Sequence, residues 1–363
     1  MTVAEFRLQN FRNISEAAIS LGDGVNLFVG DNGAGKTSIL EAIHVVARGR
    51  SFRAADSAAL CREGMPGYAI GLTVTTPNQD PETLLLRRTG QHQEILLNHQ
   101  RCHRQSDLAR RLPIQLVTPD VGELVTGSPG VRRQFLDWGL FHVKHNYHVN
   151  LRRYMAALKQ RNAWLRAVDP RRLPEVDPWA PQLSIFAQEI HAARDHYCEA
   201  LFPAVQRYAM ALGLELEVDI RYGRGWSTEY SEDLADILGE QVAGDVKFGG
   251  TRAGPHRADL FVKSRSRSAG ATLSRGQAKV LALAFHLAQV DILRRLSGIT
   301  SIVLFDELVA ELDSQRCIKV LDALESSQSQ VLITAVQLPD DRLVKNRTNL
   351  RMFHVKHGEV VND

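Results

Sequence analysis

The sequence predicts an α/β fold in which a mixed sheet and an antiparallel β subsheet are interrupted by an inserted, mainly helical lobe. Three observations predict it. The apolar run Val25 to Val29 passes through a glycine-rich loop straight into Thr37 to Ala47, where Ile39, Ala42, Ile43 and Val46 recur at helical spacing. Short strand candidates then follow one another closely, at Ala69 to Thr75, Thr83 to Leu86 and Glu94 to Leu97, with polar or turn-forming residues between them. A second buried run, Ser301 to Phe305, comes late in the chain and ends in two acids.

The elements fall in order. Ala4 to Leu8 alternates apolar and polar as a half-buried strand does. From Val131 to Leu212 the texture is helical, with Leu151, Tyr154, Met155, Leu158 and Leu165 on one face and Leu183, Phe186, Ile190, Tyr197 and Leu201 on another. Leu214 to Ile220 alternates strictly, and after Gly244 short strands and a helix return. At 363 residues the chain exceeds the usual size of a single core. Residues 1–130 and 245–363 read as two parts of one domain, with 131–244 as its insertion.

Composition narrows the class. Forty-four Lys plus Arg against 41 Asp plus Glu leave a net charge of +3, so a nucleic-acid surface would have to be a local patch. Cys61, Cys102, Cys198 and Cys317 form no Cys-x-x-Cys pair, and Glu5, Arg7 and Arg12 interrupt the N-terminus where a signal peptide would be apolar. Both features favour reduced thiols in the cytoplasm. The longest apolar helical stretch, Val280 to Leu293, contains His286, Gln289 and Asp291 and is too short and too polar to span a bilayer.

Gly30-Asp31-Asn32-Gly33-Ala34-Gly35-Lys36-Thr37 matches Gly-x4-Gly-Lys-Thr between a buried strand and a helix, the context expected of a P-loop. Its glycines let backbone N–H groups close around phosphate oxygens. Lys36 reaches the β and γ phosphates, Thr37 ligates magnesium, and Ser38 continues the helix N-terminus. Asp306, at the end of the late strand, is placed to hold the magnesium shell, and Glu307 to polarise an attacking water as general base. Leu273-Ser274-Arg275-Gly276-Gln277 opens a helix and resembles the signature Leu-Ser-x-Gly-Gln, in which the Ser274 hydroxyl, the Gly276 backbone and the helix N-terminus make a second phosphate cradle, with Gln277 a further candidate for the nucleotide. Together these resemble the motifs of an ABC-type ATPase head, and the resemblance implies that ATP is sandwiched between the P-loop of one copy and the signature of another. Glu311-Leu312-Asp313 falls where a D-loop would lie. Gln115 stands either in a Q-loop or as an ordinary polar strand residue. After Val331 to Thr334 the chain reads Ala335-Val336-Gln337, with no switch histidine, so slow ATP turnover is expected.

Segments spread from end to end carry a closer resemblance. Leu8 to Asn13, the P-loop, Gly49-Arg50-Ser51-Phe52-Arg53, Gly127-Ser128-Pro129 with Arg132 to Trp138, Gly254 to Leu260 and Leu-Ser-Arg-Gly-Gln together resemble the bacterial RecF family of recombination and repair proteins. The resemblance implies an SMC-like head without the long coiled coil, and Val131 to Asp259 indeed shows no sustained heptad run. It also implies an ATP-dependent homodimer and slow, DNA-stimulated hydrolysis. Its DNA would be double- and single-stranded, at gaps and junctions. It implies roles in replication, repair and SOS induction, and loading of the recombinase RecA together with RecR and RecO. By the same resemblance Arg12 and Asn13 lie near the nucleotide.

Arg50 and Arg53 either couple DNA to the ATP site, as an arginine after the P-loop helix does in related heads, or make surface salt bridges. Leu151 to Leu165 carries Arg152, Arg153, Lys159 and Arg161 with no acid, joined by Arg166, Arg132 and Arg133. That face either neutralises phosphates or is simply solvated. His142, His145 and His148 share a helical face but lack a nearby acid or cysteine, which is thin support for a metal. Two other functions share these motifs: the ATPase subunit of a transporter, and a scaffold that binds ATP with little hydrolysis. A transporter subunit would be shorter between P-loop and signature and would carry the switch histidine.

Overall fold

The computed structural model describes residues 1–227, 231, 233–264, 266–307, 312–337, 347 and 349–362. It divides into two units, the first comprising 1–121, 211–213 and 286–363, the second 122–210 and 214–285.

In the first unit β1 (Thr2–Phe11), β2 (Ile14–Ser20), β4 (Gly67–Thr75), β5 (Glu82–Thr89), β6 (His92–Leu97) and β7 (Gln100–Arg101) form an antiparallel sheet of order β2-β1-β4-β5-β6-β7. A second sheet joins β3 (Val25–Val29), β8 (Ile114–Val117), β12 (Ile302–Phe305), β13 (Gln330–Ala335), β14 (Leu350–Lys356) and β15 (Glu359–Asn362) in the order β15-β14-β3-β13-β12-β8. Its strands pair in parallel except β15, which is antiparallel to β14. Parallel strands covered on both faces are apolar throughout; β12 and β13 are buried at every residue. The expected mixed sheet and antiparallel subsheet are both present.

Helix α1 (Lys36–Arg48) shares one core with both sheets. Ile39, Leu40, Ile43 and Val46 are fully buried, and burial of each stabilises by roughly 1.5–3 kcal/mol. Gly49, in the left-handed region, ends the helix with its N–H on the Val45 carbonyl. The Gln105 amide of α2 (Gln105–Arg111) donates to the Val46 and Ala47 carbonyls left open by that ending.

The second unit contains α3 (Glu123–Thr126), α4 (Pro129–Val143), α5 (Tyr147–Ala167) and most of α6 (Ala180–Ala211), followed by α7 (Leu234–Glu240), α8 (Val242–Phe248) and α9 (Ala269–Thr272). A small antiparallel sheet joins β9 (Val218–Gly223), β10 (Asp259–Ser264) and β11 (Arg267–Ser268). The unit ends within α10 (Arg275–Ser297), after Phe285. It is larger than the expected 131–244 insertion, because β10 pairs residue by residue with β9 and because Asp245 and Thr251 are bonded to Arg161 on α5. Residues 245–285, signature included, therefore belong with the helices rather than with the C-terminal part of the ATPase domain. Among the described residues no helix is long and apolar enough to cross a membrane.

Candidate nucleotide site

The loop between β3 and α1 is shaped by its glycines. A Cβ on Gly30 would stand 2.1 Å from the Val355 carbonyl oxygen, so only glycine lets β14 pass this close. Gly33 and Gly35 have φ of +80° and +117°, which side-chain-bearing residues rarely adopt. Gly35 gives α1 no side-chain cap, leaving its first N–H groups for a ligand at the positive end of the helix dipole. The buried Lys36 donates from Nζ to the carbonyls of Gly30 (2.7 Å) and Asp31 (2.9 Å). Burial lowers its pKa, against the opposing pull of Glu307, Asp306 and Asp31.

Thr37 Oγ1 donates to Asp306 Oδ1 (2.9 Å), which places the tip of α1 against the end of β12. The same carboxylate oxygen accepts a second proton from Thr334 Oγ1 on β13 (2.8 Å), and the N–H of Glu307 donates to that Thr334 hydroxyl (2.8 Å). Glu307 itself lies at φ +56°. A hydroxyl beside a carboxylate suits magnesium, a hard cation usually held by one or two protein oxygens together with phosphates and water. The bare helix N-terminus beside them suits the phosphates. The residues present thus fit Mg-ATP.

Asn13 is braced across the loop, donating from Nδ2 to the Gly33 carbonyl (3.1 Å) and accepting from Ser38 Oγ (3.3 Å). Arg12 grips Glu41 of α1 with Nε and Nη2 at 2.9 and 2.7 Å. Glu41 is wholly buried and also accepts from Ser51 Oγ, which in turn receives the backbone N–H groups of Arg53 and Ala54. A cavity of about 990 Å³ is lined by Asn13, Lys36, Thr37, Arg53, Arg62 and Glu307 among others, including Arg12, Asn32, Gly33, Gly35 and Ser38. Residues from both ends of the sequence-predicted site therefore meet here, and the exposed Arg53 stands with them.

Gln115 does not join them. It is 3% exposed on β8, with Nε2 turned to His286 Nδ1 and Gln289 Oε1. Its place is in the core, because β8 carries it beside β12. Of the D-loop candidates, Glu311 lies outside the described residues, and Asp313 caps α11 (Ser314–Ser326), accepting from the Arg316 N–H. Sequence reading places Thr334 only in a strand, meets Ser51 only within the Gly49 to Arg53 segment, and passes over Glu41. A threonine ending an otherwise apolar buried strand, Val331-Leu332-Ile333-Thr334, is the signal available for the first of them.

In the second unit the signature opens α10 as a capping box. Ser274 N–H donates to Gln277 Oε1 (2.9 Å), and Gln277 N–H to Ser274 Oγ (3.2 Å). Ser274, Arg275 and Gly276 are exposed.

The basic residues expected at DNA separate by burial. Arg152, Arg153 and Lys159 are exposed on α5, with Arg166 beyond them. Arg161 is not available: it is fully buried and paired with Asp177 and Asp245, both at 2.7 Å, because the helical period turns it inward. Arg132 is also engaged, held by both oxygens of Asp259 at 2.7 and 2.9 Å and by the Gly127 carbonyl. The half-buried Arg133 donates to the Ala258 carbonyl, and burial lowers its pKa. Thr251 to Leu260 acquires a structural role here. Pro255 O accepts from the buried Arg194, His256 joins Tyr154 to the Thr251 carbonyl, and Asp259 holds Arg132. His142 is buried against Trp138 and Phe141, and no group of three or more His, Cys, Asp or Glu among the described residues is arranged to hold a metal.

Residues 2–360 match the model of the RecF/RecN/SMC N-terminal domain. The DNA replication and repair protein RecF of Idiomarina loihiensis is 38% identical over 368 residues, covering 100% of both chains. That of Pseudomonas paraeruginosa is 35% identical over 367 residues, covering 99% of this chain and 97% of its own. Among solved structures, the recombination mediator protein RecF with ATPrS superposes with a TM-score of 0.84 at 23% identity, over 99% of this chain and 98% of that one. An SMC head bound to the C-terminal winged-helix domain of ScpA gives 0.64 at 18%, over 100% and 98%. The P-loop, the paired acids, the signature and this likeness along the full chain agree: the protein belongs to the RecF/RecN/SMC N-terminal domain family, and within it to the RecF proteins.

Proposed function

We propose that this chain is an ATP-dependent DNA-binding switch of recombinational repair and replication, acting in the cytoplasm. The observation that carries the reading is the meeting of Lys36, Thr37 and Glu307 at one cavity, with Asp306 bonded to Thr37. Lys36 would exchange its two carbonyl partners for phosphate oxygens, and Thr37 and Asp306 would hold magnesium. The cation supplies charge neutralisation as the γ phosphate leaves. Glu307 would then orient water. Asn13 and Arg12 would fix the loop and α1, rather than read the nucleotide.

The exposed Ser274 and Gly276 of a second copy would close over the γ phosphate. ATP would then favour a homodimer by contacts that hydrolysis removes. DNA, double- or single-stranded at a gap or junction, would meet Arg152, Arg153 and Lys159, with Arg53 beside the nucleotide. RecR is the expected partner, with RecO and RecA following in the pathway.

The test is binding to a labelled gapped duplex with ATP, ADP or no nucleotide across a salt series, for wild type and Ser274→Arg. Tight binding only with ATP, abolished in the variant, supports the reading. Binding indifferent to nucleotide and unchanged in Ser274→Arg refutes it. Lys36→Ala should lose ATP binding, and Glu307→Gln should keep it while losing turnover.

A further inference from the structure

The end of β13 carries a hydroxyl that the proposed function leaves without a task. Thr334 is wholly buried, and its Oγ1 touches both acids at the end of β12: it donates to Asp306 Oδ1 and accepts the N–H of Glu307, each at 2.8 Å. The bonds have a fixed polarity. A carboxylate can only accept and an amide N–H can only donate, so the single hydroxyl proton goes to Asp306 and a lone pair goes to Glu307. Hydrogen bonds to a carboxylate are about twice as strong as neutral ones, and this one lies away from water.

Two consequences follow for the site. Asp306 Oδ1 is held between two hydroxyls, that of Thr37 from α1 and that of Thr334 from β13. Its carboxylate is therefore oriented before any cation arrives. Glu307 stands at φ +56°, a conformation that is unfavourable for a residue with a side chain and persists only where its surroundings impose it. The bond from its N–H to Thr334 is such a constraint, and it coincides with the turn that brings Glu307 to the wall of the cavity.

We propose that Thr334 is the positioning residue of the ATPase centre, its one hydroxyl locking the magnesium-binding carboxylate and the backbone of the general base into a single unit. This rests on the roles given to Asp306 and Glu307 in the proposed function. Thr334 also stands next to Ala335-Val336-Gln337, where many ABC proteins carry a switch histidine.

Thr334→Val keeps the shape and removes both bonds, while Thr334→Ser keeps both. Partners that orient a metal ligand typically contribute 10–100-fold in metal affinity or activity. For Thr334→Val the expected result is a fall in kcat of about that size, with KM for ATP at saturating magnesium nearly unchanged and the magnesium requirement raised. Thr334→Ser should restore each to near wild type. A second measurement needs no turnover: in nucleotide-free protein, the Glu307 amide should exchange with solvent faster in Thr334→Val and at the wild-type rate in Thr334→Ser. Wild-type kcat and magnesium dependence in Thr334→Val, or equal losses in Val and Ser variants, would overturn the proposal, the latter by making the effect one of packing. Glu307→Gln serves as the control. If it hydrolyses ATP as wild type does, the assignment of the general base fails, and unchanged amide exchange in Thr334→Val would then separately overturn the role of the hydroxyl.

Discussion

Arg161 offers the sharpest way to separate structural from functional charge on α5. Replacing it with Met leaves Asp177 (1% side-chain exposure) and Asp245 (0%) buried without their shared guanidinium, and also deprives Thr251 and the Leu238 carbonyl of a donor. Breaking one partner out of a buried ion pair typically destabilises by about 3–5 kcal/mol. Asp245 keeps Arg252 at 2.9 Å, and Asp177 keeps the N–H groups of Trp179 and Ala180, so the lower half of that range is expected. These remaining partners soften the effect without replacing the central charge. The four tryptophans, Trp138, Trp164, Trp179 and Trp226, all lie in the second unit, so tryptophan fluorescence during urea unfolding reports on it selectively. With a slope of about 2–3 kcal/mol per molar urea, the midpoint should fall by on the order of 1–2 M. Arg152→Glu, on the exposed side of the helix, should move it by less than about 0.5 kcal/mol in equivalent stability. The reasoning is refuted if Arg161→Met unfolds with the wild-type midpoint, and a failure of that folded variant to bind DNA would return Arg161 to the DNA surface.

Charge reversal of Arg152, Arg153 and Lys159 together should leave the tryptophan-detected midpoint in place and weaken binding to gapped duplex. For every phosphate no longer neutralised, the log–log salt slope should flatten by about 0.9, measured by fluorescence anisotropy from about 50 to 200 mM salt. Ser274→Ala should cost about 1 kcal/mol of local helix stability by opening the capping box, and it should weaken ATP-dependent dimerisation, measured by light scattering, while ATP binding to the monomer persists. His256 is held near pKa 4, chiefly by burial, with Arg257 and Arg133 acting in the same sense and the Thr251 carbonyl against it. It is neutral when folded, whereas the unfolded chain takes up its proton near pH 6.5, so stability is constant above that pH and falls as pH drops toward 4. Between about pH 7.5 and 5.5 this one group should lower the stability of the second unit by about 1.4 kcal/mol, and His256→Gln should remove that part of the urea-midpoint shift. Gly30→Ala should destabilise the first unit by forcing a Cβ against the Val355 carbonyl, with the thermal midpoint of its unfolding as the measure.

Local pattern makes part of this fold legible in the sequence. Val25–Val29 is the strand predicted to the residue, and the helix expected over Thr37–Ala47 runs Lys36–Arg48, because an apolar run, a glycine turn and a 3.6-residue period leave the backbone little choice. The strand at Ile14–Ser20 escapes such reading: its buried residues, Ile14, Ala17 and Ile19, do not alternate regularly, and pairing with β1 supplies what its pattern does not. A count of basic residues along the chain puts Arg161 on the surface, although its spacing from Tyr154, Leu158 and Leu165 places all four on one helical face. Burial of a charge becomes readable only when its partners are known, and Asp245 is 84 residues away.

The same distinction governs the nucleotide site. The groups proposed to touch nucleotide sit in contiguous motifs because a phosphate cradle is built from consecutive backbone N–H groups and a helix end. The groups that orient them do not share that constraint. Thr37 meets Asp306 across 269 residues of sequence, Thr334 meets it across 28, and Arg12 reaches Glu41 across 29. Each of these pairs joins elements that only the fold brings together: the start of α1 at the end of β12, β12 beside β13, and α1 against β1. Parallel pairing of β12 with β13 sets Phe305 opposite Ile333, so the residues that follow on each strand, Asp306 and Thr334, emerge side by side at the same sheet end as the P-loop after β3. A threonine in an apolar run is visible in the sequence, but its partners are set only by the register of the sheet. That is why the acids can be read from a linear motif while the bonds that hold them cannot.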